Sequence, residues 1–388
     1  MMLKRTCERG PIVASIKKRP NGKWRARYRD ADGKEHARHF DRKIDAQQWL
    51  DGETVKLKTG TWVEPRAGAT TLAEWFEQWS SIQVWEHGTL LAAQQAVTST
   101  PFLNKRLDRI TANDVQAWVK AMTKPDDRRK TGLASSTIKT RYNYVHMCFL
   151  AAVKARLIGA APSADVTLPR VQRTSSAMRI PTPEQVRGVL DVADPYFRTF
   201  IALCAFAGLR LGETAGLQVD DIDFLKRTVS VNRQVQGATN SDVRITTPKY
   251  ESRRTIPVSP QLIELISKHI ADYGIREDDR GAWLLTNGGN LFQRGSAGHY
   301  WREARAKVGM KEYTLHDLRH FFASGLISEG CDVVTVQHAL GHSSPSITLN
   351  YYSHLWPDAE EKTRAAGASL MSSVILADSV RTEGTSPQ

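Results

Sequence analysis

The sequence contains little cysteine and no long apolar run. Its four cysteines are widely spaced: Cys7, Cys148, Cys204 and Cys331. Because no Cys-x-x-Cys pair occurs, the pattern fits neither a zinc knuckle nor a disulfide framework, and it is typical of a reducing cytoplasm. No stretch approaches the roughly 20 apolar residues that cross a bilayer, and no apolar segment follows the basic start to form a secretory signal. We therefore predict a cytoplasmic protein with no membrane partner.

Basic residues outnumber acidic ones. The 388 residues include 54 Lys and Arg against 41 Asp and Glu, a formal net charge of +13. The hydrophobic fraction of 41% is that of a globular protein, and the length allows two or three domains. A positive net charge favours a polyanionic partner, either nucleic acid or a membrane surface. Since the sequence predicts no membrane segment, we expect nucleic acid. Residues 1–65 alone carry 16 basic and 9 acidic side chains, which indicates a DNA-binding module there.

The residues from 1 to 65 predict a small sheet that packs on a helix. The predicted elements, separated by turn signals at 20–22 and 32–33, are strands over 15–19, 23–29 and 34–40 and a helix over 44–58. The middle strand alternates strictly, and its basic face consists of Lys23, Arg25, Arg27 and Arg29. No acid interrupts that face of the strand, so we predict that it lies in a DNA major groove; the alternative is a solvated edge.

Residues 71–160 predict a helical bundle. Helix-start patterns occur at Thr71, Thr111 and Ser135. Lys139 and Arg141 are candidate phosphate contacts on the last of these helices, the alternative being ordinary helix-surface charge.

The remaining boundaries follow from composition. They are a basic, proline-flanked linker over 161–179, a third module over 180–377 and a polar tail over 378–388, with disorder expected from residue 381. The predicted fold class is a mainly α multidomain protein with small β-sheets, in which the third module is α+β.

Six polar side chains in the third module supply what phosphodiester cleavage requires. They are Arg210, Lys249, His316, Arg319, His342 and Tyr352. The reaction needs a nucleophile, positive charge at the nonbridging oxygens and a proton for the leaving oxygen. Guanidinium forks suit phosphate oxygens, and a phenol is a nucleophile when nearby charge favours its ionised form.

Arg210 is predicted at a helix junction. An apolar helix over 197–206 ends at Gly208, and another helix begins at 211. A long side chain at such a junction can point into a cleft, and Glu213, one turn later, is expected to orient a neighbouring side chain. The alternative for Arg210 is a surface ion pair with Glu213.

Lys249 is predicted in a turn of a small sheet. Strands over 228–234, 243–246 and 253–258 are predicted to form that one three-stranded sheet, with Lys249 in its last turn. A solvated turn lysine is the alternative. Arg253 and Arg254, in the last strand, are candidate DNA contacts.

The histidines are predicted on and after helices. His316 and Arg319 share one face of a helix that Thr314 caps, because they are three residues apart. His320 adds an i, i+4 histidine pair, but Asp317 stands where a zinc-protease helix has glutamate, so we predict no metal and no other cofactor. Gly341 is predicted to end a helix over 333–340 before His342, and Ser344-Pro345 to begin the helix that bears Tyr351 and Tyr352.

All six side chains, in this order over the third module, resemble the catalytic domain of the tyrosine recombinases, the phage integrase family. The resemblance implies that Arg210, Arg319 and His342 contact the scissile phosphate and that His316 shares protons. It further implies that Lys249 protonates the departing 5′ oxygen. The bundle is similar to the core-binding domain of such enzymes, and the first module resembles the arm-binding domain of some phage integrases.

The nucleophile is one of two adjacent tyrosines. Many members of the family place it nine residues after the histidine of the Gly-His pair, which is Tyr351 here. Tyr352 is ten residues on, but Tyr352-Ser353-His354 matches the Tyr-x-His continuation that is frequent in the family. We therefore predict Tyr352, with Tyr351 as the alternative.

The resemblance implies a site-specific integrase that cleaves and rejoins DNA through a 3′-phosphotyrosyl intermediate. Its expected partners are double-stranded core and arm sites, three more copies of itself, a DNA-bending host factor and a directionality factor. Its expected location is the nucleoid in the cytoplasm of the host cell. The alternatives are a recombinase that resolves chromosome dimers, a type IB topoisomerase and a non-catalytic DNA-binding regulator.

Overall fold

The computed structural model describes most of the chain: residues 14–30, 33–59, 67–127, 129–170, 178–237, 239–248, 252–356 and 359–382. The chain divides into two compact units, Met1–Arg173 and Thr174–Gln388, so the boundary falls inside the predicted linker. Within the described ranges, no helix combines the length and the apolar character needed to cross a membrane.

The first unit begins with an antiparallel sheet covered by a helix. The strands are β1 (Ala14–Lys18), β2 (Trp24–Arg29) and β3 (Glu35–Phe40), in that order, and the helix is α1 (Lys43–Thr59). Gly22 has a φ of +80°, as the first predicted turn requires. Ala26 and Tyr28 of β2 are buried on the side where α1 packs, and Ala46 and Leu50 of α1 are buried with them. The predicted strands, helix and alternation of β2 are confirmed.

A helical bundle follows in the first unit. Its helices are α2 (Leu72–Ser81), α3 (His87–Thr98), α4 (Ala112–Met122) and α5 (Ser135–Lys154). The hydroxyls of Thr71 and Thr111 accept from the backbone N–H groups of Glu74 and Asp114, and each carboxylate accepts in return from its threonine N–H. The predicted starts at Thr71 and Thr111 are therefore capping boxes. The third helix begins at Ser135 as predicted, but its N-cap residue, Ala134, makes no side-chain capping bond.

The second unit is mainly helical. Its described helices are α6 (Pro183–Val192), α7 (Pro195–Phe206), α8 (Leu211–Ala215), α9 (Pro260–Tyr273), α10 (Arg294–Lys307), α11 (Leu315–Ser328), α12 (Val333–Leu340), α13 (Pro345–Tyr352) and α14 (Ala359–Thr382). Helix α7 is apolar on nearly all sides, so it is buried and packs against both α9 and α11.

Short strands accompany these helices. They are β4 (Ile222–Asp223), β5 (Thr228–Val231), β6 (Gln234–Gln236), β7 (Arg244–Thr246), β8 (Arg254–Pro257), β9 (Arg276–Asp278), β10 (Gly281–Trp283), β11 (Thr286–Asn287) and β12 (Asn290–Leu291). Strands β4, β5 and β8 form one antiparallel sheet, whereas β7 pairs with β6.

The prediction of a single sheet over 228–234, 243–246 and 253–258 was therefore wrong. The strand breaks after β5 because the side chains of Asn232 and Arg233 turn to bind the carboxylate of Asp221. Strand β6 then starts a separate hairpin with β7.

Helix α14 extends past the predicted end of the third module at 377. It ends at Thr382, so the expectation of disorder from residue 381 was wrong for 381 and 382, while 383–388 lies outside the described residues. The segment is rich in alanine and has no proline before 387, so helix propensity continues past the predicted boundary at 377.

Candidate active site

A left-handed glycine separates α7 from α8 and places Arg210 between them. Gly208 has a φ of +63°, and a Cβ at this position would lie 2.4 Å from Cδ1 of Phe322, so only glycine fits. Arg210 is the N-cap residue of α8, and its backbone N–H donates to the Glu213 carboxylate at 3.0 Å. The predicted helix junction is confirmed.

Arg319 is buried, and backbone carbonyls hold its guanidinium. It lies on α11 and is 2% exposed, and its Nη1 donates to the carbonyl oxygen of Gly208 at 2.6 Å. Its Nη2 donates to the carbonyl oxygen of Leu340, the last residue of α12. Burial, and then the charge of Arg210, lower the pKa of Arg319 to about 9, so the side chain keeps its charge at neutral pH. The segment after α7 and the end of α12 together fix one positive charge.

Glu213 binds two arginines. Its carboxylate is 1% exposed and accepts from Nη1 of Arg210 at 2.6 Å and from Nη2 of Arg254 at 2.8 Å. Burial alone would raise the pKa of Glu213, but hydrogen bonding to Arg254 and the charges of the neighbouring arginines lower it to about 2. Arg210 therefore forms the ion pair with Glu213 that was the alternative prediction for it. It nevertheless stays partly exposed, and it also donates to the carbonyl oxygen of Gly341 at 3.3 Å.

The prediction of Arg254 as a DNA contact was wrong. Its side chain is 8% exposed, and its Nε donates to the carbonyl oxygen of Ala339 at 2.9 Å. That carbonyl and the carboxylate of Glu213 occupy the buried guanidinium, so it supports the site from within the protein. Arg253, its neighbour, is exposed and stays a candidate contact.

His342 is held between α12 and α13. Gly341 ends α12 with a φ of +61°, as predicted, and Nδ1 of His342 lies 2.9 Å from Oγ1 of Thr348. The side-chain amide of Gln337 donates to the His342 carbonyl oxygen at 2.9 Å. Burial, followed by the charges of three nearby arginines, lowers the pKa of His342 to about 3, so the imidazole is neutral at physiological pH.

Two histidines share one face of α11. The rings of His316 and His320 meet edge to face, with centroids 4.8 Å apart, as the i, i+4 spacing predicts. His316 is exposed, and partial desolvation followed by the charge of Arg319 lowers its pKa. Asp317 caps the helix, because its carboxylate accepts from the backbone N–H of Thr314 at 2.5 Å. Over the described ranges, no three potential metal ligands converge.

Tyr352 lies in the site and Tyr351 lies at the surface. Tyr352, the last residue of α13, is 1% exposed, whereas Tyr351 is 57% exposed. The Tyr352 hydroxyl is 2.6 Å from Nδ1 of His320, and its ring is nearly parallel to that of His342, with centroids 6.5 Å apart. Burial raises the pKa of Tyr352 to about 12, although Arg319 favours the phenolate. Adjacent helical residues point about 100° apart, so the two tyrosines cannot share one role.

The predicted cationic face of the N-terminal sheet is partly neutralised. Glu35 of β3 accepts from Nη2 of Arg25 at 2.8 Å and from Nη1 of Arg27 at 3.1 Å. Nζ of Lys23 lies 3.5 Å from Oδ1 of Asp41, and Arg29 is exposed. The face of β2 has no acid of its own, as predicted, but antiparallel pairing brings Glu35 beside it.

The other predicted residues are Lys249, Lys139 and Arg141. Lys249 lies outside the described residues, between β7 and β8. On α5, Lys139 is exposed and Arg141 is half-buried.

Three contributors to the site were not predicted from the sequence: Arg254, His320 and Thr348. The spacing of His320 from His316 is a signal for a shared helix face, but that spacing fits a metal pair equally well. Arg254 and Thr348 gave no local signal, because their partners, Glu213 and His342, are set by the tertiary fold.

Two family models match the chain. The model of the phage integrase family matches residues 180–358, and that of the phage integrase N-terminal domain matches residues 14–59. The integrase of Mycobacterium phage L5 is 26% identical over 355 residues, which cover 87% of this chain and 92% of that integrase. Tyrosine recombinase XerC of Myxococcus xanthus is 30% identical over 234 residues, which cover 58% of this chain and 72% of the relative.

Solved structures share the fold. The Tn1549 transposon integrase in complex with circular intermediate DNA superposes with a TM-score of 0.64 at 22% identity, covering 78% of this chain and 100% of that one. A lambda integrase dimer bound to a COC′ core site superposes with a TM-score of 0.56 at 18% identity, covering 89% of this chain and 96% of that one. On the evidence of the family models and of the Myxococcus relative, the chain belongs to the phage integrase family and is a tyrosine-type site-specific recombinase.

Proposed function

We propose that this enzyme integrates and excises phage or mobile-element DNA, with Tyr352 as the nucleophile. Its phenolic oxygen attacks the scissile phosphate and forms a 3′-phosphotyrosyl bond as the 5′ oxygen departs. The 5′ hydroxyl of the partner duplex then attacks that bond and reseals the strand. The energy of the phosphodiester is kept in the protein–DNA ester, so this scheme consumes neither ATP nor a metal.

One observation carries the assignment: the buried Tyr352 hydroxyl belongs to the same cluster as both arginines. Arg319 and Arg210 donate to the carbonyl oxygens of Leu340 and Gly341, the two residues before His342. The His342 ring is nearly parallel to the Tyr352 ring, with centroids 6.5 Å apart. Arg210 and Arg319 are also linked through the segment 208–210, since Arg319 donates to the Gly208 carbonyl. Two fixed guanidiniums neutralise the nonbridging oxygens as charge builds up on them.

The other members of the cluster have separate roles. His342 is a neutral imidazole whose Nδ1 is occupied by Thr348, which leaves Nε2 to contact the phosphate. His316 is exposed on the same helix as Arg319 and shares protons with the reacting oxygens. Lys249 protonates the departing 5′ oxygen, a role that rests on the family resemblance alone. Glu213 orients Arg210.

The proposed partners are DNA and further copies of the enzyme. Residues 71–160 and 180–377 would hold the core site, joined by the linker 161–179, and residues 1–65 would bind arm sites. Lambda integrase has been solved as a tetramer bound to a Holliday junction, and we propose the same assembly here. A host DNA-bending protein and a directionality factor would complete the reaction at the nucleoid, in the cytoplasm of the host.

An integrase fits better than a recombinase that resolves chromosome dimers. The phage L5 integrase aligns over 87% of this chain, whereas the Myxococcus XerC aligns over 58%. The N-terminal domain match over 14–59 supports the same choice. Removing residues 1–65 should leave cleavage of core DNA intact and abolish binding to arm sites; retained arm-site binding in a gel shift would refute this division of labour.

The nucleophile is tested with a nicked suicide duplex that carries the core site, located by footprinting. Wild type, Tyr352→Phe and Tyr351→Phe are incubated with it in EDTA, and the covalent protein–DNA band is measured. We expect loss of the band in Tyr352→Phe only. Loss in Tyr351→Phe only would keep the function and move the nucleophile by one residue. Tight binding with no band in wild type would favour a non-catalytic DNA-binding protein.

A further inference from the structure

The Tyr352 hydroxyl has one hydrogen-bonding partner among the described residues, and it is His320. The oxygen lies 2.6 Å from Nδ1 of that imidazole, across 32 residues of sequence. An unprotonated imidazole nitrogen accepts a hydrogen bond more strongly than a phenol oxygen does, so we assign the phenol as the donor. The proton of the neutral ring is then on Nε2.

The other imidazoles are placed for other contacts. Nδ1 of His342 is engaged by Thr348, and the His342 ring stacks beside the phenol of Tyr352. His316 meets His320 edge to face and is exposed. His320, by contrast, is half-buried with its Nδ1 on the nucleophilic oxygen. Of the three histidines, it is the one in direct contact with a reacting atom.

We propose that His320 is a further catalytic residue, which orients the Tyr352 hydroxyl and accepts its proton during strand cleavage. The inference rests on the proposed role of Tyr352 as nucleophile. In this inference His320 accepts the proton of the Tyr352 hydroxyl. A different group, the acid of the site, protonates the departing 5′ oxygen.

The step balances without any further reactant. The O–H bond of Tyr352 breaks and an N–H bond forms at Nδ1 of His320, while the phenolic oxygen forms its bond to phosphorus. The phosphorus–O5′ bond breaks, and its electron pair stays on the 5′ oxygen, which takes a proton from the acid of the site. During rejoining, the 5′ hydroxyl attacks phosphorus and gives its proton back to the conjugate base of that acid. The bond between phosphorus and the phenolic oxygen breaks, and His320 returns its proton to the departing phenolate.

The surroundings of His320 keep it in the accepting form before DNA binds. Burial, then His316 and Arg319, lower its pKa to about 4, against an opposing effect of Asp317. The ring is therefore neutral at physiological pH, with Nδ1 free of a proton. A bound phosphodiester adds negative charge next to Arg319, which raises the basicity of the His320 ring when the proton must be taken up.

The test uses the full-length protein and single-turnover cleavage of the nicked suicide duplex. The variants are His320→Ala and His320→Asn, because an asparagine amide oxygen can still accept a hydrogen bond but cannot take up a proton at neutral pH. His299→Asn is the matched control, since His299 is an exposed histidine on α10. We expect both His320 variants to cleave at least about 100-fold more slowly than wild type, and the control at the wild-type rate.

A second substrate identifies which side of the phosphate His320 serves. A 5′-bridging phosphorothiolate has a leaving group that needs no proton, so it rescues a defect in the general acid. We expect no rescue of either His320 variant. Rescue to the wild-type rate would place His320 on the leaving-group side and overturn the inference. Cleavage by His320→Asn at the wild-type rate would also overturn it, because proton uptake would then be dispensable.

Folding and the proposed function are controlled separately. Thermal melting and affinity for the core duplex are measured for each variant; if His320→Ala melts early, the His320→Asn result decides. A wild-type adduct that is lost in Tyr352→Phe and kept at full rate in both His320 variants would overturn this inference alone. A wild type that forms no adduct would overturn the proposed function and the inference together.

Discussion

Glu213 and Arg254 form a buried ion pair with two hydrogen bonds, of 2.8 and 3.2 Å, although 41 residues separate them. The same carboxylate accepts from Arg210, and Arg254 also donates to the Ala339 carbonyl at 2.9 Å. One carboxylate thereby joins the first turn of α8 to the start of β8, and through Arg254 to α12. Because α8 positions Arg210 and α12 leads to His342, this network holds the two proposed phosphate contacts in place.

Replacing Glu213 with glutamine should destabilise the protein strongly. The substitution leaves Arg254, a buried guanidinium, without its counter-charge, which typically costs about 3–5 kcal/mol of the free energy of unfolding. Urea titration of the second unit's unfolding measures the loss. Glu264→Gln, at an exposed position on α9, is the control and should change stability by less than about 0.5 kcal/mol. Equal effects of the two substitutions would contradict a structural role for the network.

The same carboxylate should make stability depend on acidic pH. The pKa of Glu213 is about 2 in the folded protein, against about 4.3 in an unfolded chain. Its contribution is therefore complete above about pH 4.3 and is lost as the pH falls towards 2. We expect the free energy of unfolding to fall more steeply from about pH 5 to pH 3 in wild type than in Glu213→Gln.

His320 and His342 also weaken the fold in acid, and to about the same extent in both proteins. The pKa values of His320 and His342 are lowered to about 4 and about 3, so the unfolded chain takes up protons at pH values where the folded site does not. The difference between wild type and Glu213→Gln cancels the contribution of these two histidines and reports Glu213 together with its charge effect on His316. Parallel pH profiles for the two proteins would show that the carboxylate is not held as described.

Local signals predicted the elements of the fold better than their partners. The capping residues Thr71 and Thr111 and the helix-ending Gly341 act within one turn of the chain, so their helices were predicted correctly. Strand pairing is not local, and the single sheet predicted around Lys249 failed because Asn232 and Arg233 interrupt the strand to bind Asp221.

Spacing likewise identified the cluster but not all of its contacts. The order of Arg210, His316, Arg319 and His342 is legible in the sequence, and the family resemblance implies that they converge. Which of the two adjacent tyrosines faces them depends on how α13 packs. In the structure Tyr352 is buried and Tyr351 is exposed. The hydrogen bond between Tyr352 and His320 joins α13 to α11, and no pattern within either helix indicates it.

Gly208→Ala should damage both stability and cleavage. A Cβ at this position would lie 2.4 Å from Phe322, and the φ of +63° disfavours any side chain. We expect about 1–2 kcal/mol of destabilisation from the backbone and roughly another 1–3 kcal/mol from overpacking. Because the Gly208 carbonyl holds Arg319, the cleavage rate should fall as well.

Gly330→Ala separates the two causes of that damage. Gly330 has a φ of +85°, but a methyl group added there would meet no described atom within 4 Å, so alanine carries only the backbone penalty. Urea titration and single-turnover cleavage are measured for both variants. Gly330→Ala should lose about 1–2 kcal/mol and keep its cleavage rate. A cleavage rate unchanged in Gly208→Ala would mean that the Gly208 carbonyl does not position Arg319.

Glu35→Gln should strengthen DNA binding by the N-terminal sheet. Glu35 holds the guanidiniums of Arg25 and Arg27 at 2.8 and 3.1 Å, and removing its charge releases both for phosphate contacts. Each additional phosphate contact increases the slope of log affinity against log salt by about 0.9, so the slope of the full-length protein on arm-site DNA should steepen by up to about 1.8.

Asp51→Asn is the matched control, because Asp51 is exposed on α1, the helix that packs on the opposite face of the sheet. The control removes one negative charge from the same domain but frees no arginine, so its slope should stay that of wild type. Equal steepening in both variants would mean that net charge, and not the two released arginines, sets the affinity of this domain.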